Sequence, residues 1–399
     1  MDFDFDQVID RDGTAAIATD AWNEFLLDPE MAATLPPDAD LLTMWVADMD
    51  FAAPPVAIEA IRERLDRKIL GYTLDTDDEY RRVFAEWCQR RYGWSFDDGD
   101  LYMGRGVVPA LVDLLAAIVS PGEKVMTLTP AYHWFQDAVD RQDDVELVTV
   151  AMSDLDGRAT IDLERFEATA ADPAVTVFFL CHPHNPNGIE WTVEELTAMG
   201  DVCRRHGVQI VSDEIHADLT RVGVTHRPTA SVLPDDRVIT CMAPSKTFNL
   251  AGLMFSTVVI PDPEIAERFD ALQYGITNPL SLAAATAVHR DGDAWLDVLR
   301  RYLDDNLRYV ADVLSTELPG ASLTMPDATY LAWIDLGPWA EGIDDLTFFF
   351  AKEAHVLLEG PEQFVADGDR HVGLNIACPR SKVEDGMRRM IDALRRRVA

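Results

Sequence analysis

Apolar and polar positions along the chain alternate between two spacings. Short runs rich in β-branched residues, such as "KVMTL" from Lys124 and "AVTVFFLC" from Ala174, have the length and composition of buried strands. Between such runs lie stretches whose apolar residues recur at helical spacing, for example 54–68 and 77–93. Strands that take turns with helices predict an α/β fold, in which a largely parallel sheet carries helices on both faces.

The pattern changes after Pro279. One long amphipathic helix is predicted over 293–318, and a basic helix closes the chain. Short strands are predicted between these helices, at 321–325, 330–336 and 371–378. We therefore expect a large domain over 46–285 and a smaller α+β domain formed by 1–45 together with 286–399.

Charge narrows the classes of function. The 399 residues carry a formal net charge of −36, and 48% of them are hydrophobic. Nucleic acids and anionic membranes bind basic surfaces, so neither is an expected partner. An acid excess of this size keeps a protein in solution and is typical of salt-rich cells, but it carries no information on chemistry.

Targeting and redox signals point to the cytoplasm. The start "MDFDFDQVID" is acidic and has neither the apolar core nor the basic residues of a signal sequence. No run of about 18 apolar residues exists, so we expect no membrane span. The five cysteines have no CxxC spacing and lie in apolar stretches, which predicts buried thiols in a reducing compartment and no zinc knuckle.

Several predicted strands end in residues with distinctive chemistry. In open α/β sheets, ligands bind at the carboxyl ends of the strands. The residues at or just after these ends are Tyr132 in "TPAYHWF", Asn185 in "HPHNPNG", Asp213 in "VQIVSD" and Lys246 in "APSK". A glycine-rich "GRGVV" also opens an apolar helix, and free N–H groups at a helix N-terminus bind phosphate.

Pyridoxal phosphate needs all five of these features. Its aldehyde needs a lysine, its ring nitrogen an acid, its phenolate oxygen a donor, its ring a stacking partner, and its phosphate a cradle. A lysine held between two buried strands also suits this chemistry, since desolvation lowers the pKa of an ammonium group and makes it a nucleophile. The strand ends therefore predict a pyridoxal phosphate site around Lys246.

Structural interpretations compete with this one at each position. "GRGVVP" could be part of a dinucleotide fingerprint, but Pro109 stands in place of the third glycine and no acidic ribose ligand follows. Asp213 could cap a helix, and Lys246 could be a surface lysine. His182 and His184 resemble a metal pair, yet no carboxylate lies at ligand spacing, so we interpret them as turn residues and expect no metal.

Longer motifs resemble a known family. "HNPNG", "SDEIHADL" and "APSKTFNLAGL" resemble fold type I pyridoxal-phosphate enzymes of the class I/II aminotransferase family. "MWVADMDFAAPPVAIEAI" with the following "GYT" is similar to the MalY/PatB branch, whose members are C–S β-lyases such as cystathionine β-lyase. The likeness runs from about residue 40 to the C-terminus. It implies the fold type I transferase fold.

The resemblance implies a role for each position. Lys246 would form the Schiff base and act as general base, and Asp213 would hold the ring nitrogen. Other cofactor contacts would come from Asn185 at the phenolate oxygen, His216 near the same oxygen, Tyr132 stacked on the ring, and Gly106, Val107 and Ser245 at the phosphate. Tyr72, counted with the catalytic residues, would reach the cofactor phosphate of a neighbouring subunit, which implies a homodimer with shared active sites.

The substrate side departs from the family. Trp45, Ala47 and Asp48 would line it. Family members usually bind the substrate α-carboxylate with an arginine just before a short C-terminal strand, and that position here is Gly373. Of the two nearby arginines, Arg370 would point to the opposite face of the strand, so we expect Arg380 to supply the contact.

The implied reaction is α,β-elimination. The resemblance favours a C–S β-lyase that cleaves cystathionine or related cysteine S-conjugates, small-molecule substrates, to pyruvate, ammonia and a thiol. An aminotransferase would use the same lysine, so the residues alone leave both outcomes open. A third possibility is a cofactor-binding protein without turnover, against which the intact Lys246, Asp213 and Asn185 argue.

Overall fold

The computed structural model describes residues 3–36, 39–74, 76–155, 157–234 and 238–398. Within these ranges the largest sheet has seven strands. They are β1 (Leu101–Gly104), β2 (Lys124–Thr129), β3 (Glu146–Ala151), β4 (Val175–Cys181), β5 (Gln209–Asp213), β6 (Val238–Met242) and β7 (Ser256–Val259). Their order across the sheet is β1-β7-β6-β5-β4-β2-β3.

Strand direction confirms the mostly parallel sheet. Strand β7 is antiparallel to both of its neighbours, and every other pair is parallel. Asp213 at the end of β5 lies opposite Cys181 of β4 and Cys241 of β6. The carboxyl ends of these three strands are therefore in line, and the residues that follow them meet at one edge of the sheet.

Helices cover both faces of this sheet. The longer ones are Pro55–Asp66, Asp78–Tyr92, Val107–Ile118, Trp134–Asp140, Leu163–Ala170, Val193–His206, Pro263–Leu272 and Pro279–Asp291. The helix from Val193 begins with the expected capping box, in which Thr192 and Glu195 bond each other's backbone N–H groups. Pro279–Asp291 was not predicted from the sequence; it is buried against Pro55–Asp66 and Asp78–Tyr92.

A second, smaller sheet follows in the chain. It joins β8 (Ser322–Leu323), β9 (Leu331–Asp335) and β10 (His371–Asn375), all antiparallel. The sequence pattern predicted the long helix Asp293–Glu317 and the closing helix Arg380–Val398, and the two helices pack on each other. Leu42–Thr43 pairs with Val356–Leu357, so the N-terminal segment joins this part of the fold.

Shorter elements complete the description. Short helices and helical turns are Ile17–Asp20, Trp22–Phe25, Pro29–Ala32, Asp98–Asp100, Ala217–Leu219, Thr229–Val232, Pro244–Thr247, Ala251–Leu253, Gly337–Ala340, Leu346–Phe349, Phe350–Ala354 and Pro361–Gln363. Short strand pairs are Thr73–Leu74 with Ile276–Thr277, Ala131–Tyr132 with Phe364–Val365, and Ser153–Leu155 with Arg158–Thr160. In the described part of the chain, no helix combines the length and apolar character that a membrane span requires.

Candidate active site

Lys246 lies at the carboxyl edge of the large sheet. Strand β6 ends at Met242, and the short helix Pro244–Thr247 carries the lysine. Its Nζ donates a hydrogen bond of 2.6 Å to the carbonyl oxygen of Ala47. Burial lowers the pKa of this amine, although nearby carboxylates oppose the effect. The side chain is therefore disposed to lose a proton, as a nucleophile or base must.

Asp213 is a buried carboxyl group that has few hydrogen bonds to offset the loss of its hydration. It ends β5 with 5% of its surface exposed, and its Oδ1 accepts a hydrogen bond of 3.1 Å from the backbone N–H of Ile215. Burial raises the pKa of Asp213 to about 7, while that N–H and Lys246 act in the opposite direction. A cationic ring N–H beside this carboxyl group would lower its pKa and so hold it ionised.

Two further polar side chains at this edge lack partners. The Oδ1 of Asn185 and the Nδ1 of His216 are buried and bond to no other group in the described ranges. Burial, and secondarily the charge of Lys246, lowers the pKa of His216 to about 3, so its imidazole is neutral. Buried polar atoms are normally satisfied, and orphaned ones in a pocket indicate a ligand.

The glycine-rich loop lines the same pocket through Gly106 and Val107. Gly106 has φ of +117° and directly precedes the helix Val107–Ile118. Its N–H donates to Ser256 Oγ at 3.3 Å. A side chain at Gly104 could not be accommodated, since a Cβ there would lie 2.5 Å from the same oxygen. Ser256 was not predicted from the sequence, because it is brought here only by the pairing of β7 with β1.

The pocket brings together most of the expected residues. Its lining includes these predicted positions: Ala47, Gly106, Val107, Tyr132, Asn185, Asp213, His216, Ser245 and Lys246. It also includes positions that sequence reasoning missed: Val108, Pro109, Cys181, Ile215, Ala251, Met254 and Phe255. The missed residues are mostly apolar, and nothing in their local sequence distinguishes them from core positions.

Trp45 and Tyr72 lie elsewhere. The Trp45 indole packs in a separate apolar cluster with Leu26 and Leu27, and its Nε1 donates to the carbonyl oxygen of Ala18 at 3.1 Å. The expectation that Trp45 lines the substrate side is therefore wrong for this chain. Tyr72 is 96% exposed and outside the pocket of its own chain.

The two candidate arginines are occupied away from the pocket. Arg380 donates from Nε to Asn306 at 2.8 Å, and its guanidinium lies 4.8 Å from the ring centre of Tyr309. Arg370 pairs with Asp335 at the surface. The structure therefore does not bring Arg380 to the substrate side, because its direction is fixed by the long helix Asp293–Glu317 that carries Asn306 and Tyr309.

His182 belongs to a buried charge network beside the pocket. The two ring nitrogens of His226 lie 3.0 and 2.9 Å from Glu190 and Glu214. Although burial lowers it, these glutamates raise the pKa of His226 to about 10. His182 Nε2 donates to the carbonyl oxygen of Arg227 at 3.0 Å and lies 3.4 Å from Glu190.

The sequence-based view of this histidine needs correction. Glu190 does lie within ligand reach of His182 and His226, although it is not at ligand spacing in the sequence. The hydrogen bonds and opposite charges of the two imidazoles and the glutamates account for the cluster as an ion network. His184 is separate: its Nδ1 bonds Asn187 Oδ1 at 3.1 Å, in agreement with a turn residue.

Pyridoxal phosphate fits the pocket. The amine of Lys246 can react with its aldehyde, and the carboxyl group of Asp213 can pair with its ring nitrogen. The unpartnered Asn185 and His216 face the same space, which suits its phenolate oxygen, and the helix that follows Gly106 presents free N–H groups for its phosphate. Tyr132, held by pairing of its strand with Phe364–Val365, supplies an aromatic wall.

Comparison with known proteins decides the family. The sequence model of the aminotransferase class I and II family matches residues 39–383. The chain belongs to this family. Cystathionine β-lyase PatB of Bacillus subtilis (strain 168) is 39% identical over 361 residues, which cover 89% of this chain and 93% of that protein. Protein MalY of Escherichia coli (strain K12) is 34% identical over 400 residues, 98% and 99% of the two chains.

Solved structures agree with these sequence relatives. The PLP-bound C–S lyase from Staphylococcus hominis superposes with a TM-score of 0.93 and 37% identity, over 99% of this chain and 98% of that one. Cystalysin from Treponema denticola, which contains pyridoxal 5′-phosphate, superposes with a TM-score of 0.91 and 28% identity. The match covers 99% of this chain and 100% of that one. The predicted fold type I transferase fold and the MalY/PatB resemblance are confirmed.

Proposed function

We propose that this protein is a pyridoxal-phosphate-dependent C–S β-lyase, which cleaves cystathionine or a related S-substituted cysteine to pyruvate, ammonia and a thiol. The observation that carries the proposal is the convergence of the Lys246 amine, the Asp213 carboxyl and the unpartnered Asn185 and His216 in one pocket. The relatives named above as a cystathionine β-lyase and a C–S lyase support this reaction over transamination.

The cofactor would be held by the chain's own groups. Lys246 would bind it covalently, and Asp213 would pair with its ring nitrogen. Gly106, Val107 and Ser245 would bind its phosphate. When bound, pyridoxal phosphate supplies an electron sink for the carbanion formed at the substrate α-carbon.

Lys246 would move the protons of the reaction. Its lowered pKa makes a neutral amine accessible, and the neutral amine removes the α-proton. The carbonyl oxygen of Ala47, which also accepts a hydrogen bond of 2.9 Å from the Tyr330 hydroxyl, fixes the direction of the amine. As the carbon–sulfur bond breaks, the thiolate leaves readily because thiols have a pKa of about 8.5.

A homodimer with shared sites is the second part of the proposal. Tyr72 projects from the pocket's own chain with 96% exposure. Leu70, Leu74 and Tyr274 are also exposed around it, on and beside the small strand pair Thr73–Leu74 with Ile276–Thr277. Large apolar side chains exposed on and beside one strand pair are typical of a protein interface. A partner subunit would cover it and receive Tyr72 near its cofactor phosphate.

The domain division and the cellular location are proposals of the same kind. The pairing of Leu42–Thr43 with Val356–Leu357 supports a small domain made of 1–45 and 286–399, beside a large domain of 46–285. Five buried, unpaired cysteines support a reducing compartment, and we propose the cytoplasm.

One assay tests the reaction. Purified enzyme loaded with pyridoxal phosphate is incubated with L-cystathionine, with and without a 2-oxo acid. A lyase forms pyruvate and a thiol without the 2-oxo acid. An aminotransferase forms a new amino acid only when the 2-oxo acid is present, and that result would overturn the proposal.

A further inference from the structure

Three carboxylates act on Lys246 from around the pocket. The charges that act on Lys246 are those of Asp48, Glu359 and Asp213, in that order, and all three are carboxylates. Asp48 is paired with Arg11 at 2.6 Å, and Asp213 has its role at the ring nitrogen in the proposed function. Glu359 has neither a cationic partner nor an assigned role.

Glu359 lies beside Gly373. Their backbones exchange hydrogen bonds of 3.1 and 2.7 Å. A Cβ at Gly373 would lie 3.5 Å from Oε2 of Glu359 and 3.5 Å from Phe364, whose strand pairs with Tyr132. Glu359 is also the strongest charge acting on Tyr132. The carboxyl group is thus placed near the pocket wall formed by Tyr132, next to a position without a side chain.

The Glu359 carboxyl has no partner among the described residues. Within the described ranges, no group donates a hydrogen bond to it or forms an ion pair with it, and Lys246 is the one charge that lowers its pKa. Burial raises the pKa of Glu359 to about 8. The Glu359 side chain is only half-buried and no described group bonds its carboxyl, so the carboxyl is open to a hydrogen bond from a ligand beside Gly373.

Four cations of the N- and C-terminal segments are already bound to other groups. Arg11 bonds both Asp48 and Asp50, and Lys382 is held by Asp50 and Thr43. Arg370 and Arg380 are occupied as described above. A substrate carboxylate beside Gly373 would therefore meet Glu359, while these arginines are held by other partners.

The chemistry of Glu359 distinguishes two kinds of substrate. An ionised Glu359 repels a carboxylate, and a neutral one offers it a single O–H in place of a bidentate guanidinium. A carboxamide behaves differently, since its N–H group can donate to a carboxyl oxygen in either protonation state. It also brings no negative charge into the acidic pocket.

We propose that Glu359 is a specificity-determining residue that accepts a hydrogen bond from the substrate, so that the site takes S-substituted cysteine amides in preference to the free amino acids. This inference rests on the proposed lyase function and names its substrate class. The same α-proton and carbon–sulfur bond are lost. Water then replaces the amine nitrogen, so the products are a thiol, ammonia and 2-oxopropanamide.

Binding tests the preference without turnover. L-alanine and L-alaninamide have no β leaving group, and their dissociation constants with the loaded enzyme follow from titration of the cofactor absorbance. At pH 9, above the pKa of Glu359, one charge-assisted hydrogen bond predicts that the amide binds about 10- to 100-fold more tightly. Equal affinity, or tighter binding of L-alanine, would overturn the proposal.

Variants assign the preference to Glu359. Glu359→Gln keeps the shape of the side chain but removes the charge, and we expect it to reduce the ratio about tenfold or more. Gly373→Arg should shift the ratio further towards L-alanine. Gly373→Ala is the steric control: its Cβ meets only ordinary contacts of 3.5 Å, so the ratio should stay near that of the wild type. An unchanged ratio in Glu359→Gln contradicts the assignment.

A separate assay keeps the two proposals distinct. Thiol release is measured from S-ethyl-L-cysteine and S-ethyl-L-cysteinamide. Release from either compound supports the lyase function, and the ratio of kcat/KM tests the preference. If neither releases ethanethiol, the lyase function fails, whereas the binding ratio still decides the role of Glu359.

Discussion

The amine of Lys246 donates a hydrogen bond of 2.6 Å to the carbonyl oxygen of Ala47, which lies 199 positions earlier in the chain. This bond ties the N-terminal segment to the edge of the large sheet. It also directs the amine into the pocket that contains Asp213 and Asn185. Burial also lowers the pKa of this amine, so the packing around Lys246 affects both its position and its reactivity.

Reductive trapping tests the role of Lys246. Borohydride treatment of the loaded protein should fix the cofactor on this residue, since its amine is the one in the pocket. Peptide mass spectrometry should find the adduct at Lys246 and lose it in Lys246→Ala. Lys352→Ala, an exposed lysine far along the chain, is the matched control and should keep the adduct. An adduct on another lysine contradicts the site.

Asp213→Asn should slow the chemistry while the fold is retained. The amide has the size of the carboxyl group but cannot stabilise a protonated ring nitrogen. We expect exchange of the substrate α-proton for deuterium, followed by NMR, to fall by about 100-fold or more, which corresponds to about 2.7 kcal/mol of barrier. Asp201→Asn, on an exposed helix surface, is the control. Near-normal exchange in Asp213→Asn would remove this residue from the mechanism.

Hybrid dimers test the shared site. Tyr72→Ala and Lys246→Ala homodimers should both be impaired, because each lacks one part of every site. After subunit exchange, a hybrid dimer contains one site with both residues intact, so part of the activity should return. The control is the activity of the two homodimers, each assayed separately and then mixed under conditions in which subunits do not exchange. Absence of recovery, with hybrid formation verified by native mass spectrometry, would contradict the shared site.

The charge network around His226 should make stability fall at alkaline pH. The folded pKa of His226 is about 10, against about 6.5 for an unfolded histidine. A raised folded pKa gives a stabilising contribution that is complete below about pH 6.5 and is lost as the pH rises towards 10. Urea unfolding between pH 6 and pH 10 should show this decline in the wild type.

Substitution isolates the contribution of His226. His226→Gln should unfold at lower urea concentration, by about 3–5 kcal/mol at neutral pH, because it leaves two buried glutamates without their cation. Its stability should also decline less between pH 6 and pH 10. His206→Gln, an exposed histidine beside Glu167, should change stability by less than about 0.5 kcal/mol. A wild type whose stability rises over this range would contradict the network.

Arg380→Ala should affect stability more than substrate binding. Its guanidinium bonds Asn306 and stacks on Tyr309, so removal should cost about 1–2 kcal/mol of folding free energy. The KM for the substrate should stay close to that of the wild type. Arg370→Ala, which breaks a surface pair with Asp335, should change neither quantity appreciably. A tenfold rise in KM for Arg380→Ala alone would restore it as a substrate contact.

The sequence by itself determined the type of fold and the centre of the site. Strand and helix periods are local, and the polar residues at strand ends follow directly from them, which is why Lys246, Asp213 and Asn185 could be named in advance. The helix Pro279–Asp291 could not be predicted from the sequence. It is rich in small residues and buried on most sides, so its apolar positions show no amphipathic period.

Only the tertiary structure decided which distant residues meet. Glu190 approaches His182 and His226, Glu359 lies against Gly373, and Trp45 turns away from the pocket into its own cluster. None of these relationships follows from local spacing, because the direction of a side chain and its partners depend on how segments far apart in the chain pack. The same packing sets the desolvation that shifts the pKa values of Lys246 and Glu359.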